Sequence, residues 1–457
     1  MTRKLADLYR LGQSPWCDNV AREQIKAGTF QQLITQDAIV GVTSNPSLFQ
    51  KAMTAGNAYD DQFRELAAQG LDAQSIYQVM ANQDIGDVLD LFRPIYDCTH
   101  RVDGYVSLEV SPLLANETEQ TIAEARQLWA HLNRPNLFIK IPAVAQGIAA
   151  IEACIAEGIN VNVTLIFSLD AYERVILAYL GGLEKLAASG KKPPGHVASV
   201  ASFFVSRVDT LVDRLLDERS AATNDLIQKQ RLAALRGKAA IANAKLAYQV
   251  YRAYFVEGPK AERFKSLQAQ GAQVQRPLWA STSTKNPAYR DVMYVEELIG
   301  PNTVNTMPPA TIAAFQDHGT VALTVEREIE AARQTVEDLG AVGIQMKQVT
   351  DTLETEGVAL FKTSFEDLLQ RLDDKRRQLA EEQAAQGDPT AAAAAKSSGH
   401  SAGIAGANSA TSTTTAHHDL ESDTLREDED EGHDEPAVSE ERDKKQPGVI
   451  SSRGFVW

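Results

Sequence analysis

The chain lacks the sequence features that are typical of secreted, membrane-spanning and zinc-binding proteins. Only three of its 457 residues are cysteine, namely Cys17, Cys98 and Cys154, and no two of them form a CxxC pair. This count excludes a disulfide framework and a zinc knuckle. No apolar run approaches the ~18 residues that a membrane span needs, and the first residues contain no apolar signal region. These absences predict a protein of the reducing cytoplasm.

The negative charge is concentrated near the carboxyl terminus. The formal net charge is -16, and residues 419–445 alone hold 13 Asp and Glu against 4 Lys and Arg. Affinity for nucleic acids comes largely from cations that neutralise phosphates, so we expect no nucleic-acid partner. Small anionic substrates need only a few local cations and are compatible with this composition.

The composition changes near residue 385. Residues 386–448 are rich in Ala, Ser, Thr, Gly and acidic side chains and bury too little apolar area to offset the entropy of ordering. We predict a disordered acidic low-complexity linker there. Apolar residues return at 449–457, VISSRGFVW, which on such a tether is suited to docking on a protein partner. An end of the chain without function is the alternative.

Residues 1–380 alternate between short, β-branched apolar runs and amphipathic helical segments. Eight such runs are found, at 14–19, 38–45, 104–112, 137–143, 159–168, 196–204, 277–284 and 302–308. Strand–helix alternation favours a parallel sheet, and eight repeats favour a closed (β/α)8 TIM barrel. A doubly wound open sheet is the alternative, although no GxGxxG follows a strand. Two helical additions, an insertion at 208–268 and C-terminal helices at 320–385, are expected to pack outside the barrel.

Lys140 is the most informative single residue. It lies within an apolar strand, LFIKIPA, and a lysine among apolar groups has its ammonium form disfavoured. A free amine can add to a ketone and form an imine, which then serves as an electron sink for cleavage of a neighbouring C–C bond. A lysine that extends to solvent, or that pairs with a carboxylate, is the structural alternative.

Two carboxylates lie at the ends of strands and are candidates for proton transfer. Glu109 ends the third strand and Asp18 the first. Imine chemistry needs one group that shuttles protons during dehydration and another that takes the proton from a hydroxyl. The structural alternatives are an ion pair between Glu109 and Lys140, and a helix N-cap at Asp18.

The remaining strand ends supply hydroxyl, amide and cationic groups. A barrel directs these ends into one shared mouth and often binds phosphate after its later strands. Arg207, where a helix should start, and Lys285, after the seventh strand, are the candidate phosphate ligands. The set holds no histidine, so we expect neither a metal nor another cofactor. The other strand-end residues are Thr43, Asn45, Asn162, Thr164, Ser202, Thr282 and Thr306.

Taken together and in their order along the chain, these motifs resemble those of the transaldolase family. The resemblance covers residues 1–370 and rests on WCDN, GVTSNPSLF, SLEVSP, FIKIPA, NVTLIFS, ASFFVSRVD and WASTSTKNP, in that order. It implies a (β/α)8 barrel and transfer of a dihydroxyacetone unit from sedoheptulose 7-phosphate to glyceraldehyde 3-phosphate. The products would be erythrose 4-phosphate and fructose 6-phosphate, in the non-oxidative pentose phosphate pathway.

The resemblance also implies a role for each residue. Lys140 would form the Schiff base, Asp18 would act on the hydroxyl at the scissile bond, and Glu109 would move protons through a water with help from Thr164. The implied substrate-binding residues, with the last two on the phosphate, are Thr43, Asn45, Asn162, Ser202, Phe204, Arg207 and Lys285.

Two departures and two alternative functions accompany the resemblance. Many relatives carry Pro and Gly in the stretch 202–207. Many also carry arginine where Lys285 aligns, and a lysine there gives up the bidentate phosphate contacts that an arginine makes. The alternative enzyme is a fructose-6-phosphate aldolase, which releases free dihydroxyacetone. The alternative of another class is a non-catalytic barrel scaffold that acts through its tail.

Overall fold

A computed structural model describes residues 3–385 and shows a closed barrel of eight parallel strands. Each of the eight predicted runs overlaps one strand, and β1 pairs with both β2 and β8. The predicted TIM barrel is therefore confirmed, and the open sheet is wrong. The strands are β1 Gln13–Asp18, β2 Gly41–Thr43, β3 Tyr105–Glu109, β4 Leu137–Pro142, β5 Val161–Ile166, β6 Ser199–Phe204, β7 Arg276–Ala280 and β8 Thr303–Met307.

Helices surround the barrel and connect its strands. They are α1 Lys4–Arg10, α2 Arg22–Lys26, α3 Thr29–Asp37, α4 Pro46–Thr54, α5 Asp60–Ala68, α6 Ala73–Cys98, α7 Thr118–Leu132, α8 Ala145–Ala156, α9 Leu169–Ser189, α10 Ser206–Ala222, α11 Leu226–Ala233, α12 Ala239–Phe255, α13 Ala261–Gln268, α14 Met293–Glu296, α15 Pro309–His318, α16 Ile329–Ala341 and α17 Met346–Ala385. Short 3₁₀ turns lie at Pro112–Leu114 and Pro194–His196. Within residues 3–385, no helix combines the length and the apolar character needed to cross a membrane.

Large aromatic side chains fill the middle of the barrel. The rings of Trp16 on β1 and Phe138 on β4 are fully buried, with centroids 6.1 Å apart. A side chain at Gly41 on β2 would collide with the Trp16 indole, so glycine is required there. This aromatic layer fills the barrel interior on the amino-terminal side of the mouth. The mouth itself is lined by the inward-facing residues two positions further along each strand.

A buried ion pair closes the amino-terminal end of the barrel. Arg276, on β7, donates to the Asp103 carboxylate at 3.0 Å and to Ser14 Oγ at 2.8 Å. Ser14 Oγ also donates to Asp103 at 3.0 Å. These bonds tie the loop before β3 to β1 and β7.

Removing the charge of Asp103 should be costly because Arg276 would then lie buried without a counter-charge. We expect Asp103→Asn to lower the free energy of unfolding by about 3–5 kcal/mol. Asp90→Asn is the matched control, since it breaks the solvent-exposed pair with Arg134 and should cost less than about 1 kcal/mol. Urea denaturation of both variants measures the difference, and equal losses would contradict the structural role given to Asp103.

The insertion between β6 and β7 is helical, as predicted, and consists of α10 to α13. The C-terminal extension differs from our expectation. Helix α17 does not pack against the outer wall alone; it crosses the carboxyl end of the barrel and contacts α4, α6 and β5. Gly357 lies against Leu165 at the end of β5, and Ser364 Oγ accepts a hydrogen bond from Ser47 Oγ at 2.8 Å. Helix α17 therefore covers part of the barrel mouth.

Candidate active site

Lys140 lies in the barrel mouth, shielded from solvent. The residue is 4% exposed, and its Nζ is 3.2 Å from Glu109 Oε2 and donates to the Ser44 carbonyl oxygen at 3.1 Å. Lys140 is paired in register with Glu109 on β3 and with Asn162 on β5. The structure therefore brings together the amine and the carboxylate that the sequence singled out, and Lys140 does not extend to solvent.

Glu109 faces this amine from inside the barrel wall. Burial raises the pKa of the Glu109 carboxyl, and the charge of Lys140 opposes that rise. A buried carboxyl with a raised pKa takes up a proton more readily than an exposed one, which suits a group that exchanges protons with the amine beside it.

Asp18 lies across the mouth on β1. Its carboxylate accepts a hydrogen bond from Thr43 Oγ1 at 2.5 Å, and that hydroxyl is 2.7 Å from Thr306 Oγ1. Burial raises the pKa of Asp18, while the charge of Lys140 and the bond from Thr43 lower it. The N-cap alternative is wrong, because α2 begins after Ala21 and receives no side-chain cap.

A β-bulge directs Thr164 on β5. The register with β6 shifts between Val163 and Ile166, and Leu165 adopts a left-handed φ of 57°. Left-handed backbone at a leucine is costly and is found mainly where geometry is fixed for a function. Thr164 Oγ1 is buried and has no hydrogen-bond partner within residues 3–385. It is therefore available to a water or a substrate atom.

Asn162 and Ser202 form part of a hydrogen-bonded chain across three strands. Ser202 Oγ donates to Asn162 Oδ1 at 2.7 Å, and Asn162 Nδ2 donates to Ser107 Oγ at 2.9 Å. The chain fixes the orientation of the amide beside Lys140. Sequence reasoning selected both ends of the Ser202–Asn162 bond and missed Ser107, which is one pleat below Glu109.

Asn45 has a structural role that the sequence did not reveal. Its side chain caps α4 by accepting from the Leu48 amide at 3.0 Å, and Pro46 occupies the first turn. The cap holds the loop that presents the Ser44 carbonyl to Lys140.

The two candidate phosphate ligands lie on adjacent loops. Arg207 is at the start of α10, with its guanidinium carbon 5.7 Å from the Phe204 ring, and Lys285 is exposed in the loop after β7. The hydroxyls of Ser206 and Ser281 are 2.9 Å apart and join these loops. A helix start flanked by cations is a suitable environment for an anion.

Phe361 on α17 is the functional candidate that sequence reasoning missed. Its ring centroid is 5.6 Å from Lys140 Nζ, and the residue is 4% exposed. The next turn of the helix packs Phe365 edge-to-face on Tyr77, with centroids 5.2 Å apart. The apolar spacing of 361, 365, 368 and 372 indicates an amphipathic helix but gives no sign of what its apolar face covers.

Metal-binding groups do not accompany these residues. Within the part of the chain that the structure describes, no three His, Cys, Asp or Glu side chains converge so as to hold a metal ion. That the chemistry needs no cofactor stays a prediction.

Comparison with known proteins relates the chain to one family. Residues 15–372 match the model of the family described as transaldolase/fructose-6-phosphate aldolase. A protein named transaldolase from Parafrankia sp. (strain EAN1pec) is 49% identical over 370 residues, 81% of this chain and 97% of the relative. Transaldolases of Thermobifida fusca (strain YX) and Mycobacterium tuberculosis (strain ATCC 25618 / H37Rv) are each 47% identical, over 81% and 80% of this chain and 98% and 95% of the relatives. The chain therefore belongs to the transaldolase/fructose-6-phosphate aldolase family.

Proposed function

We propose that this chain is a transaldolase that moves a dihydroxyacetone unit from sedoheptulose 7-phosphate to glyceraldehyde 3-phosphate. The products are erythrose 4-phosphate and fructose 6-phosphate, in the non-oxidative branch of the pentose phosphate pathway. The observation that carries the proposal is the shielded Lys140 amine, 3.2 Å from Glu109 and within electrostatic reach of Asp18. The relatives named transaldolase support the same reaction.

The first half of the reaction forms the imine. Lys140 Nζ, after losing a proton to Glu109, adds to the C2 carbonyl carbon of the ketose and gives a carbinolamine. Glu109 then returns a proton, through a water held near Thr164, and the C2 hydroxyl leaves as water. The protonated imine that results draws electrons from the C3–C4 bond.

The second half cuts and rejoins that bond. Asp18 takes the proton of the C4 hydroxyl, the C3–C4 electron pair moves into the imine, and the aldehyde product leaves. The enamine carbon then attacks the carbonyl of glyceraldehyde 3-phosphate, and Asp18 gives its proton to the new hydroxyl. Hydrolysis of the imine releases fructose 6-phosphate and restores the free Lys140 amine.

The remaining residues hold the substrate. Asn45, Asn162 and Ser202 would contact the dihydroxyacetone hydroxyls, with Thr43 and Phe204 beside them. Arg207 and Lys285 would bind the phosphate at the start of α10. Because lysine offers a point charge and not a planar fork, we expect Arg207 to be the stronger ligand.

A coupled assay separates this reaction from that of an aldolase. With sedoheptulose 7-phosphate and glyceraldehyde 3-phosphate together, fructose 6-phosphate should form at the rate at which erythrose 4-phosphate appears. With fructose 6-phosphate and no acceptor aldehyde, sustained release of free dihydroxyacetone would indicate a fructose-6-phosphate aldolase instead. No turnover and no covalent adduct would indicate the non-catalytic scaffold.

Phe361 should protect the enamine from water. The ring covers the amine on the open side of the mouth, and enclosed sites prevent the hydrolysis of reactive intermediates. We expect Phe361→Ala to increase the fraction of dihydroxyacetone units lost to solvent, while transfer per turnover falls. The measurement is free dihydroxyacetone released per erythrose 4-phosphate formed.

Leu368→Ala is the matched control for this prediction. Leu368 is fully buried on the same helix, so its truncation also weakens the packing of α17, but away from Lys140. It should leave the ratio of release to transfer unchanged. If both variants change the ratio equally, general loosening of the helix and not the Phe361 ring controls it.

The predicted domain organisation places all catalysis in residues 1–380, and the linker 386–448 and the motif 449–457 lie outside the described residues. The relatives are covered over 95–98% of their length by about four fifths of this chain, and the family match ends at residue 372. We therefore expect deletion of 386–457 to leave turnover close to that of the full chain and to remove any protein partner recovered in a pull-down. If the deletion abolished activity or folding, the interpretation of residues 386–457 as a tether outside the enzyme would be refuted.

The cytoplasm is the proposed location. All three cysteines lie within the described residues and are free thiols, and Cys17 and Cys154 are buried. A protein without disulfides is suited to a reducing compartment. Burial raises the pKa of the Cys17 thiol beside Asp18, which disfavours the reactive thiolate.

A further inference from the structure

The loop that joins β7 to α14 carries Lys285, one of the two proposed phosphate ligands. A cation on an unanchored loop adds little to affinity, because ordering the loop costs entropy on binding. Two bonds shape this loop from within. Thr284 Oγ1 donates to the Asp291 carbonyl oxygen at 2.9 Å, and the Ala288 amide donates to Asn286 Oδ1 at 2.9 Å. The position of the loop relative to α10 then depends on contacts with that helix.

Tyr289 attaches the loop to α10. Its Oη donates to Asp213 Oδ2 at 2.5 Å, and the other oxygen of that carboxylate accepts from the Gly237 amide at 3.0 Å. The Tyr289 ring lies directly against Gly237, where a Cβ atom would be 2.8 Å from the ring carbon Cζ. Gly237 also has a left-handed φ of 67°, so a larger residue is disfavoured there twice over. Asp213 and Gly237 therefore fix the Tyr289 side chain in one place.

A second tyrosine–aspartate bond lies one helical turn away. Tyr294 Oη, on α14, donates to Asp209 Oδ2 at 2.8 Å, and Asp209 Oδ1 accepts from the Ala240 amide at 2.8 Å. Asp209 and Asp213 are both buried on α10, four residues apart and so on one face of the helix. Each of these carboxylates joins the start of α12 to the segment that follows β7. The two bonds together hold that segment against α10.

The same helix carries Arg207, the other proposed phosphate ligand. Arg207 lies in the first turn of α10, two residues before Asp209. Because one rigid element carries both the cation and the aspartates, the bond from Tyr289 determines how far the loop with Lys285 lies from Arg207. A group that binds a small anion must be held close to its productive geometry by the contacts behind it.

We propose that Tyr289 is a positioning residue that holds Lys285 at the distance from Arg207 that suits one phosphate group, and that it thereby sets the preference for phosphorylated over unphosphorylated substrates. The inference rests on the proposed function, in which these two cations bind the substrate phosphate. In this role Tyr289 acts through the loop and not by contact with the substrate. Its loss should therefore weaken phosphate binding and leave the chemistry at Lys140 intact.

Acceptor kinetics of Tyr289→Phe test the proposal. The variant keeps the ring against Gly237 and loses only the hydroxyl bond to Asp213. With saturating sedoheptulose 7-phosphate, the KM for glyceraldehyde 3-phosphate should rise about tenfold, the scale of one hydrogen bond to a charged group, while kcat stays within about twofold. The KM for D-glyceraldehyde, which has no phosphate, should not change. Formation of erythrose 4-phosphate measures both series.

Tyr59→Phe is the matched control. Tyr59 Oη also donates to a buried aspartate, Asp84, at 2.7 Å, but this bond ties the start of α5 to α6. The substitution should leave both KM values native, and urea denaturation of the two variants compares their losses of stability. If Tyr59→Phe raised the KM for glyceraldehyde 3-phosphate as much as Tyr289→Phe does, general destabilisation would explain the effect and the positioning role would be overturned.

Arg207→Ala separates a failure of this inference from a failure of the proposed function. It removes a proposed ligand, so it should raise the KM for glyceraldehyde 3-phosphate more than Tyr289→Phe does and spare that for D-glyceraldehyde. If Arg207→Ala has this effect and Tyr289→Phe has none, only the positioning role is overturned. If the native chain transfers no dihydroxyacetone unit, or if Arg207→Ala does not distinguish the two acceptors, the proposed function or its phosphate site fails and the positioning role fails with it.

Discussion

Replacing Lys140 with methionine is expected to lower the kcat of dihydroxyacetone transfer by at least about 10⁴-fold, the scale of loss that follows removal of a covalent catalyst. Methionine keeps the length and most of the volume of the buried stem but has no amine to add to a carbonyl. Glu109 would lose its cationic neighbour, yet burial already raises the pKa of its carboxyl, so it can stay protonated and neutral. We therefore expect Lys140→Met to fold.

Lys245→Met is the control for this variant. Lys245 is also 4% exposed and also pairs with a glutamate, since its Nζ is 3.1 Å from Glu297 Oε2, but it lies on α12 outside the mouth. The same chemical change there should leave transfer near the native rate. The comparison is made by the coupled assay, with circular dichroism to verify folding. Native-like activity of Lys140→Met would contradict the imine mechanism.

Replacing Asp18 with asparagine should block the reaction at a later step. General acid–base catalysis contributes roughly 10²–10⁴-fold, so we expect a loss of that size in kcat. The neutral amide can still accept the hydrogen bond from Thr43, which preserves the local geometry, but it cannot take a proton from the C4 hydroxyl. The imine should form normally and then fail to cleave.

The stage of the block distinguishes Asp18 from Glu109. In Asp18→Asn, the adduct trapped from fructose 6-phosphate should retain all six carbons of the substrate, because C3–C4 cleavage is prevented. In Glu109→Gln, trapping should be slow, because dehydration of the carbinolamine is impaired. Mass spectrometry of the trapped protein reads both outcomes. A three-carbon adduct in Asp18→Asn, formed at the native rate, would show that another group is the base.

The pH dependence of the native enzyme follows from the same assignment. Asp18 must be ionised to accept the proton, and burial raises its pKa above the ordinary aspartate value. The rate of cleavage should therefore fall as the pH decreases through that raised pKa, where Asp18 becomes protonated. The acid limb should be absent in Asp18→Asn, whose residual rate no longer depends on this group.

The strands and the chemical groups were accessible from the sequence because both are local signals. Eight β-branched runs predict eight strands, and alternation along a strand places Lys140 and Glu109 on the inner face of neighbouring strands. The register that brings Nζ within 3.2 Å of Oε2 follows from closure of the barrel. That these side chains meet in the barrel mouth was therefore predictable, although the distances between them were not.

Features that depend on distant packing were not accessible in this way. The spacing of Phe361 and Phe365 indicates an apolar helix face, but only the chain path shows that α17 turns back over the mouth and not against the outer wall. The capping bond of Asn45 competes with its predicted substrate role, and a local motif alone does not decide between them.

Borohydride reduction in the presence of fructose 6-phosphate, followed by peptide mass mapping, tests the role of the Lys140 amine most directly. The native chain should carry a reduced three-carbon adduct on Lys140, formed after the aldehyde has left and in proportion to the loss of activity. An adduct on any other lysine, or a chain that borohydride leaves unmodified while turnover proceeds, would contradict the account.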